Sequence, residues 1–231
     1  MDVVIPVFQF EIRYSRILNF SQIGRTIIAP YGKLTENINV DKQNTVEETY
    51  FLNFEEEGYL MMFSWDRAVF KGQGSLDTYL QRNSPLSTLF FDIFKYITQL
   101  KEFGKITRSL FYGVSVAQYS QKKNALETYA KNILTFDPAE LDNNFDDIAV
   151  IIESNTESGS KSITFGPYFG PDDIFKRLVK PININALGDI SFEGLILEYK
   201  RVKIESHVNF DTFIQHCTEF QQTFKSIWKK Q

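Results

Sequence analysis

Between Phe8 and Tyr14 the chain alternates strictly: Phe8, Phe10, Ile12 and Tyr14 are apolar or aromatic, and Gln9, Glu11 and Arg13 stand between them. A period of two puts the rings on one face of a strand and the polar side chains on the other. A strand with one dry and one wet face belongs in an antiparallel sheet covered on one side, because strands of doubly wound parallel sheets are apolar on both faces. The rings are numerous, 22 Phe, 11 Tyr and 2 Trp in 231 residues, and rings in such number either fill a core or form contact surfaces. With 43% hydrophobic and 23% charged residues the composition is that of a folded globular chain, which excludes general disorder.

Further strands are read at 48–54 and 59–70, joined by the acidic turn Glu55, Glu56, Glu57, Gly58, and at 108–118, where Leu110, Tyr112, Val114 and Val116 share a face. In the last third they are read at 148–152, 161–165 and 192–204. In that last strand the apolar phase changes after Tyr199, to Val202 and Ile204, which predicts a bulge near Lys200 and Arg201. A short helix is expected near Ile23, Ile27 and Ile28. Ser84 and Pro85 start a long one that Gly104 stops, since serine accepts free N–H bonds and proline loses nothing at the first helical position. Others follow Ser120 or Asn124, Asp172, and Asn209, the last an amphipathic helix through Phe213, Cys217, Phe220, Phe224 and Trp228. Segregated strands and helices predict an α+β fold, mainly antiparallel sheet or sheets packed against long amphipathic helices. An acidic stretch after Pro138 divides the chain into 1–136 and 137–231, two tightly packed halves or one domain, each with strands covered by a helix.

The ionisable residues give little chemistry. The only histidines are His207 and His216, and the only cysteine is Cys217. A four-ligand Cys/His zinc site is excluded, and the adjacent His216 and Cys217 point about 100° apart on a helix. Asp142, Asn144, Asp146 and Glu153 fall at calcium-loop positions, but Asp147 stands where that loop's turn demands glycine. Neither a phosphate-binding loop nor a dinucleotide fingerprint is present, and no cofactor is expected. Glu198 and Lys200, with Asp189 upstream, form an acid-x-lysine pair resembling restriction-endonuclease-like nucleases, a resemblance that implies carboxylates holding Mg²⁺ and a lysine orienting water. Two aromatic segments are candidate contact surfaces: Tyr168 and Phe169, flanked by Gly and Pro, and Trp65 with Arg67.

The order Phe63, Ser64, Trp65, Asp66, Arg67, then Tyr79, the Phe-rich helix and the strand at 110–116 resembles a sporadically distributed, functionally uncharacterised bacterial α+β family. The terminal helix with His216, Phe220, Phe224 and Ile227 is similar to that family's last helix. The chain departs from the family at Phe111, Tyr112 and Gly113, where a polar signature is usual. The resemblance implies no activity, cofactor or catalytic residue, and the patchy distribution is compatible with a defence or mobile-element context. The excess of lysine over arginine, 17 to 8, with abundant Ile, Phe, Tyr and Asn, matches A/T-rich coding of a bacterium or phage.

A net charge of −4 gives no global field for a phosphate backbone, so nonspecific nucleic-acid binding is not expected. A single cysteine, no long apolar span and no basic leader predict a cytoplasmic, membrane-free location. The reading that follows is a non-enzymatic binding or assembly protein with a protein partner or a second copy of itself. The alternatives are a metal-dependent nuclease or phosphoesterase using Asp189, Glu198 and Lys200, and a small-ligand-binding module.

Overall fold

The computed structural model describes residues 3–119, 125–134 and 146–228. Among these residues nine strands, β1 (Val3–Tyr14), β2 (Asn37–Asp41), β3 (Thr49–Phe54), β4 (Tyr59–Ser64), β5 (Arg67–Gly72), β6 (Ile106–Gln118), β7 (Val150–Thr156), β8 (Gly159–Tyr168) and β9 (Gly194–Lys203), form one antiparallel sheet. Their order is β2-β3-β4-β5-β1-β6-β9-β8-β7. The helices are α1 (Phe20–Ile28), α2 (Leu76–Tyr79), α3 (Phe91–Thr98), α4 (Ala125–Ile133), α5 (Pro171–Phe175) and α6 (Phe210–Trp228).

The alternation read at Phe8 to Tyr14 decides which way the sheet faces. Phe8, Phe10 and Ile12 stand opposite Gly72, Phe70 and Ala68 of β5 and opposite Gly113, Phe111 and Ser109 of β6. This face meets Phe20 and Ile28 of α1, Ile93, Phe94 and Ile97 of α3, Tyr129 of α4, and Phe213, Phe220 and Phe224 of α6, all in one buried cluster. Phe8 touches Phe70, Tyr79, Phe111 and Phe213 at centroid separations of 4.9–6.2 Å, the range in which ring quadrupoles favour offset and edge contacts. Most rings are therefore core.

The opposite face is covered only in part. Val7, Tyr112, Val114, Val116 and Ile196 pack with Tyr168, Ile174 and Ile190, so α5 and the chain leading to β9 roof one end of the central strands. Asn183 ties this roof to β5, receiving a bond from Gln73 Nε2 at 2.8 Å and returning its own N–H to Gln73 Oε1 at 2.8 Å.

Several local expectations are corrected. The run 59–70 is two strands, because Trp65 and Asp66 turn the chain and their carbonyls capture the N–H groups of Ile17 and Tyr14. The helix after Ser84 is shorter than its pattern: Ser84 Oγ accepts the Ser87 N–H, a wide π-type turn (Leu86–Phe90) follows, and α3 ends at Thr98. Phe103 still packs at 5.5 Å from Tyr14, so the apolar period outlasts the helix. Phase changes after Tyr199 without a bulge, since β9 pairs in unbroken register with β6 and β8. Arg201 and Lys203 turn toward the helices there because Glu219 of α6 receives them: Lys203 Nζ donates at 2.7 Å, and Arg201 Nε lies at 3.7 Å. Helix α5 begins at Pro171 after Gly170, whose φ of +134° suits glycine, and Asp172 lies inside its first turn. The caps expected at Ser120 or Asn124, the calcium-loop positions Asp142 and Asn144, and the division at 136/137 lie outside the described residues.

Candidate functional site on the open sheet face

Past the roof, the second face of the central strands carries three transverse rows fixed by register. The first is Arg67 of β5, Arg13 of β1 and Arg108 of β6, each directly opposite the next. Two residues along each strand, the second row runs Phe51, Met62, Val69, Glu11, Leu110, Val202 across β3, β4, β5, β1, β6 and β9. The third, beside the roof, is Leu60, Lys71, Gln9, Tyr112, Lys200. Three of the chain's eight arginines thus meet on neighbouring strands of a protein whose net charge is −4. Like charges directly opposite one another in a sheet are destabilising unless compensated.

Compensation is partial. Glu11, nearly buried, holds Arg13 and accepts from Gln9 Nε2 at 3.4 Å. Asp66 takes the Arg67 guanidinium at 2.9 and 3.2 Å; burial pushes its carboxyl up, but the bonds from Arg67 and Ser64 bring it below the usual range. Arg108 and Lys200 are exposed, and Lys71 is half-buried; none of the three makes an ion pair among the described residues. Desolvation by burial holds the Lys71 ammonium below its ordinary pKa. Arg16, over the Trp65 ring at 5.0 Å, adds a further cation near the arginine end.

The candidate residues are distributed unevenly over this surface. Arg67 belongs to the arginine row, and Trp65 sits half-buried in the turn beside it. Tyr168 is fully buried, its hydroxyl donating to the Ile190 carbonyl at 2.9 Å, and fills the roof's core, whereas Phe169 is 45% exposed. Glu198 and Lys200 do share a face, but Glu198 faces Arg177 at 4.0 Å and the buried Tyr112 hydroxyl, which burial first and Glu198 second push upward. Asp189 is exposed in the loop before β9, where its Oδ1 accepts the Ser191 N–H at 2.9 Å. Among the described residues no group of three or more His, Cys, Asp or Glu could hold a metal ion.

Sequence reasoning missed one constellation on the helix face. His216 Nε2 lies 2.9 Å from Ser109 Oγ, and Ser109 donates its one proton to Glu205. That network assigns the imidazole proton to Nε2, donating to the serine and leaving Nδ1 buried without a partner. A nucleophilic triad needs the reverse, with the serine donating to the imidazole and the carboxylate on the histidine's far nitrogen. Both Ser109 and His216 are wholly buried, and His216 stacks on Phe111 at 5.9 Å. Burial, with help from Lys203, pushes its pKa down to about 3. This is a neutral packing histidine.

No protein-family model matches the chain, and no curated protein matches it.

Proposed function

We propose that this is a non-enzymatic recognition protein whose binding surface is the open face of the sheet. The observation that carries the reading is the Arg67–Arg13–Arg108 row, a cross-strand stack of like charge on a surface of the central strands that, among the described residues, neither the helices nor the α5 roof covers. Of the side chains expected to carry metal-assisted hydrolysis, Asp189 caps its own loop and Glu198 faces Arg177, while Lys200 has no ion partner among the described residues; the three do not converge, which favours binding over catalysis. The partner is a protein, and the site is the row with Trp65 at its end rather than the segment at Tyr168 and Phe169. The order strand, helix, strands, helix occurs from β1 to α3 and, with α5 inserted between β8 and β9, again from β6 to α6; we read it as two similar halves that meet at β1 and β6, divided before β6 rather than at 136/137.

The test is retention of a partner from the native host, with light scattering to detect self-association. The wild-type chain retains a protein or forms a defined oligomer, and Arg108→Glu with Lys200→Glu abolishes it while leaving melting unchanged. A strictly monomeric protein with no retained partner, or retention indifferent to both substitutions, contradicts the reading.

A further inference from the structure

Resting on the recognition role proposed above, we infer that the open face takes an acidic amphipathic helix laid across the strands. The spacing of the two cationic rows and the length of the stripe between them point to it. The arginine row and the Lys71–Lys200 row are four residues apart along each strand, which at about 3.4 Å per residue is roughly 14 Å. An α-helix with its side chains is about 10–12 Å across, so its two flanks reach both rows, whereas a single extended strand, about 5 Å wide, reaches only one. Between the rows lies the stripe Phe51, Met62, Val69, Leu110, Val202. It crosses six strands at about 4.8 Å spacing, roughly 24 Å, the length of a helix of about 16 residues at 1.5 Å each.

The half-buried Phe51, Met62, Leu110 and Val202 receive the helix's apolar side chains, with Val69, 6% exposed, forming the floor between them, and the cations on either side receive its carboxylates. Glu11 interrupts the stripe, but it is 5% exposed and its charge is already held by Arg13, so it presents no free anion to the partner. Arg108, Lys200 and Lys71 have no ion partner among the described residues and remain available on both flanks. A nucleic-acid ligand would meet the same cations. The apolar stripe favours a polypeptide with its own apolar face, which a phosphate backbone lacks.

The probe is a fluorescein-labelled 18-residue peptide with a leucine stripe flanked on both sides by glutamate. The comparisons are the same peptide with lysine for glutamate and an 18-base-pair DNA duplex, read by fluorescence anisotropy against the full chain. The glutamate peptide binds saturably, the lysine peptide does not, and added salt weakens the complex. Arg108→Glu with Lys200→Glu lowers affinity at least tenfold, as does Leu110→Asp, with each variant's melting curve checked for folding. Equal binding of both peptides, tighter binding of the duplex, or indifference to these substitutions overturns the proposal. If the glutamate peptide fails while host-protein retention still depends on Arg108 and Lys200, the helix is the wrong partner and the recognition face stands. If retention is also indifferent, both fall.

Discussion

His216 illustrates how the environment of one residue sets a property of the whole chain. Its folded pKa is about 3 against an ordinary 6.5, because the ring is buried between Phe111 and Phe10 with Lys203 and Arg201 nearby, and Glu219 only partly offsets these. Below pH 6.5 the unfolded chain takes up a proton that the folded chain refuses. Stability is therefore complete above that pH and declines as pH falls toward 3, approaching about 1.4 kcal/mol per pH unit. Urea midpoints between pH 6.5 and 5, above most carboxylate titrations, will fall for the wild type and fall less for His216→Gln. Gly113 is tested differently: a Cβ there would lie 2.9 Å from Phe220 of α6, so Gly113→Ala costs on the order of 1–3 kcal/mol in chemical denaturation. A neutral result there would mean that α6 is not seated against β6 at this point. The sequence showed that Arg13 lies on a wet strand face. It could not show that Arg67 and Arg108 flank it, because that depends on the register of strands 54 and 95 positions away in the chain.

At the scale of elements, the period of two was read correctly in β1 and β6, but no strand was read at β2, where Ile38 and Val40 alternate with the exposed Asn37, Asn39 and Asp41. Periodicity was misread where tertiary contacts changed the meaning of a side chain. Strand β9 looked bulged because cations at Arg201 and Lys203 follow apolar Tyr199 on the helix face, and Glu219, twenty residues from Tyr199, explains them. The run 59–70 looked continuous because Trp65 is as compatible with a strand as with the turn it occupies. The start of α6 was legible because its signal is local: Asn209 Oδ1 accepts the Thr212 N–H at 3.1 Å, and Thr212 Oγ1 in return accepts the Asn209 N–H at 3.2 Å. Asn209→Ala removes that cap and lowers stability by about 1 kcal/mol, measurable as a shifted denaturation midpoint with an unchanged slope. An unshifted midpoint would show that the first turn is held by packing of Phe210 and Phe213 alone.

At the scale of the molecule, α+β with an antiparallel sheet was foreseeable from segregated patterns, but strand order and the uncovered face were not. Both depend on β6 returning beside β1 and on β9 crossing back to β6, pairings between residues far apart in the chain. Because β6 and β9 pair continuously from Ser109–Lys203 to Gln118–Gly194, the sheet is one cooperative body, and calorimetry will show a single unfolding transition. Two resolved transitions would mean the strands on either side of β1 and β6 unfold separately. The central claim, that the open face is the recognition surface, is tested most directly by placing the photoreactive residue benzoylphenylalanine at Leu110, in the stripe, or at Tyr96, 56% exposed on α3 at the opposite side. Illumination in the native host will give a discrete cross-linked protein species from position 110 and none from position 96; adducts from 96 alone, or from neither, contradict it.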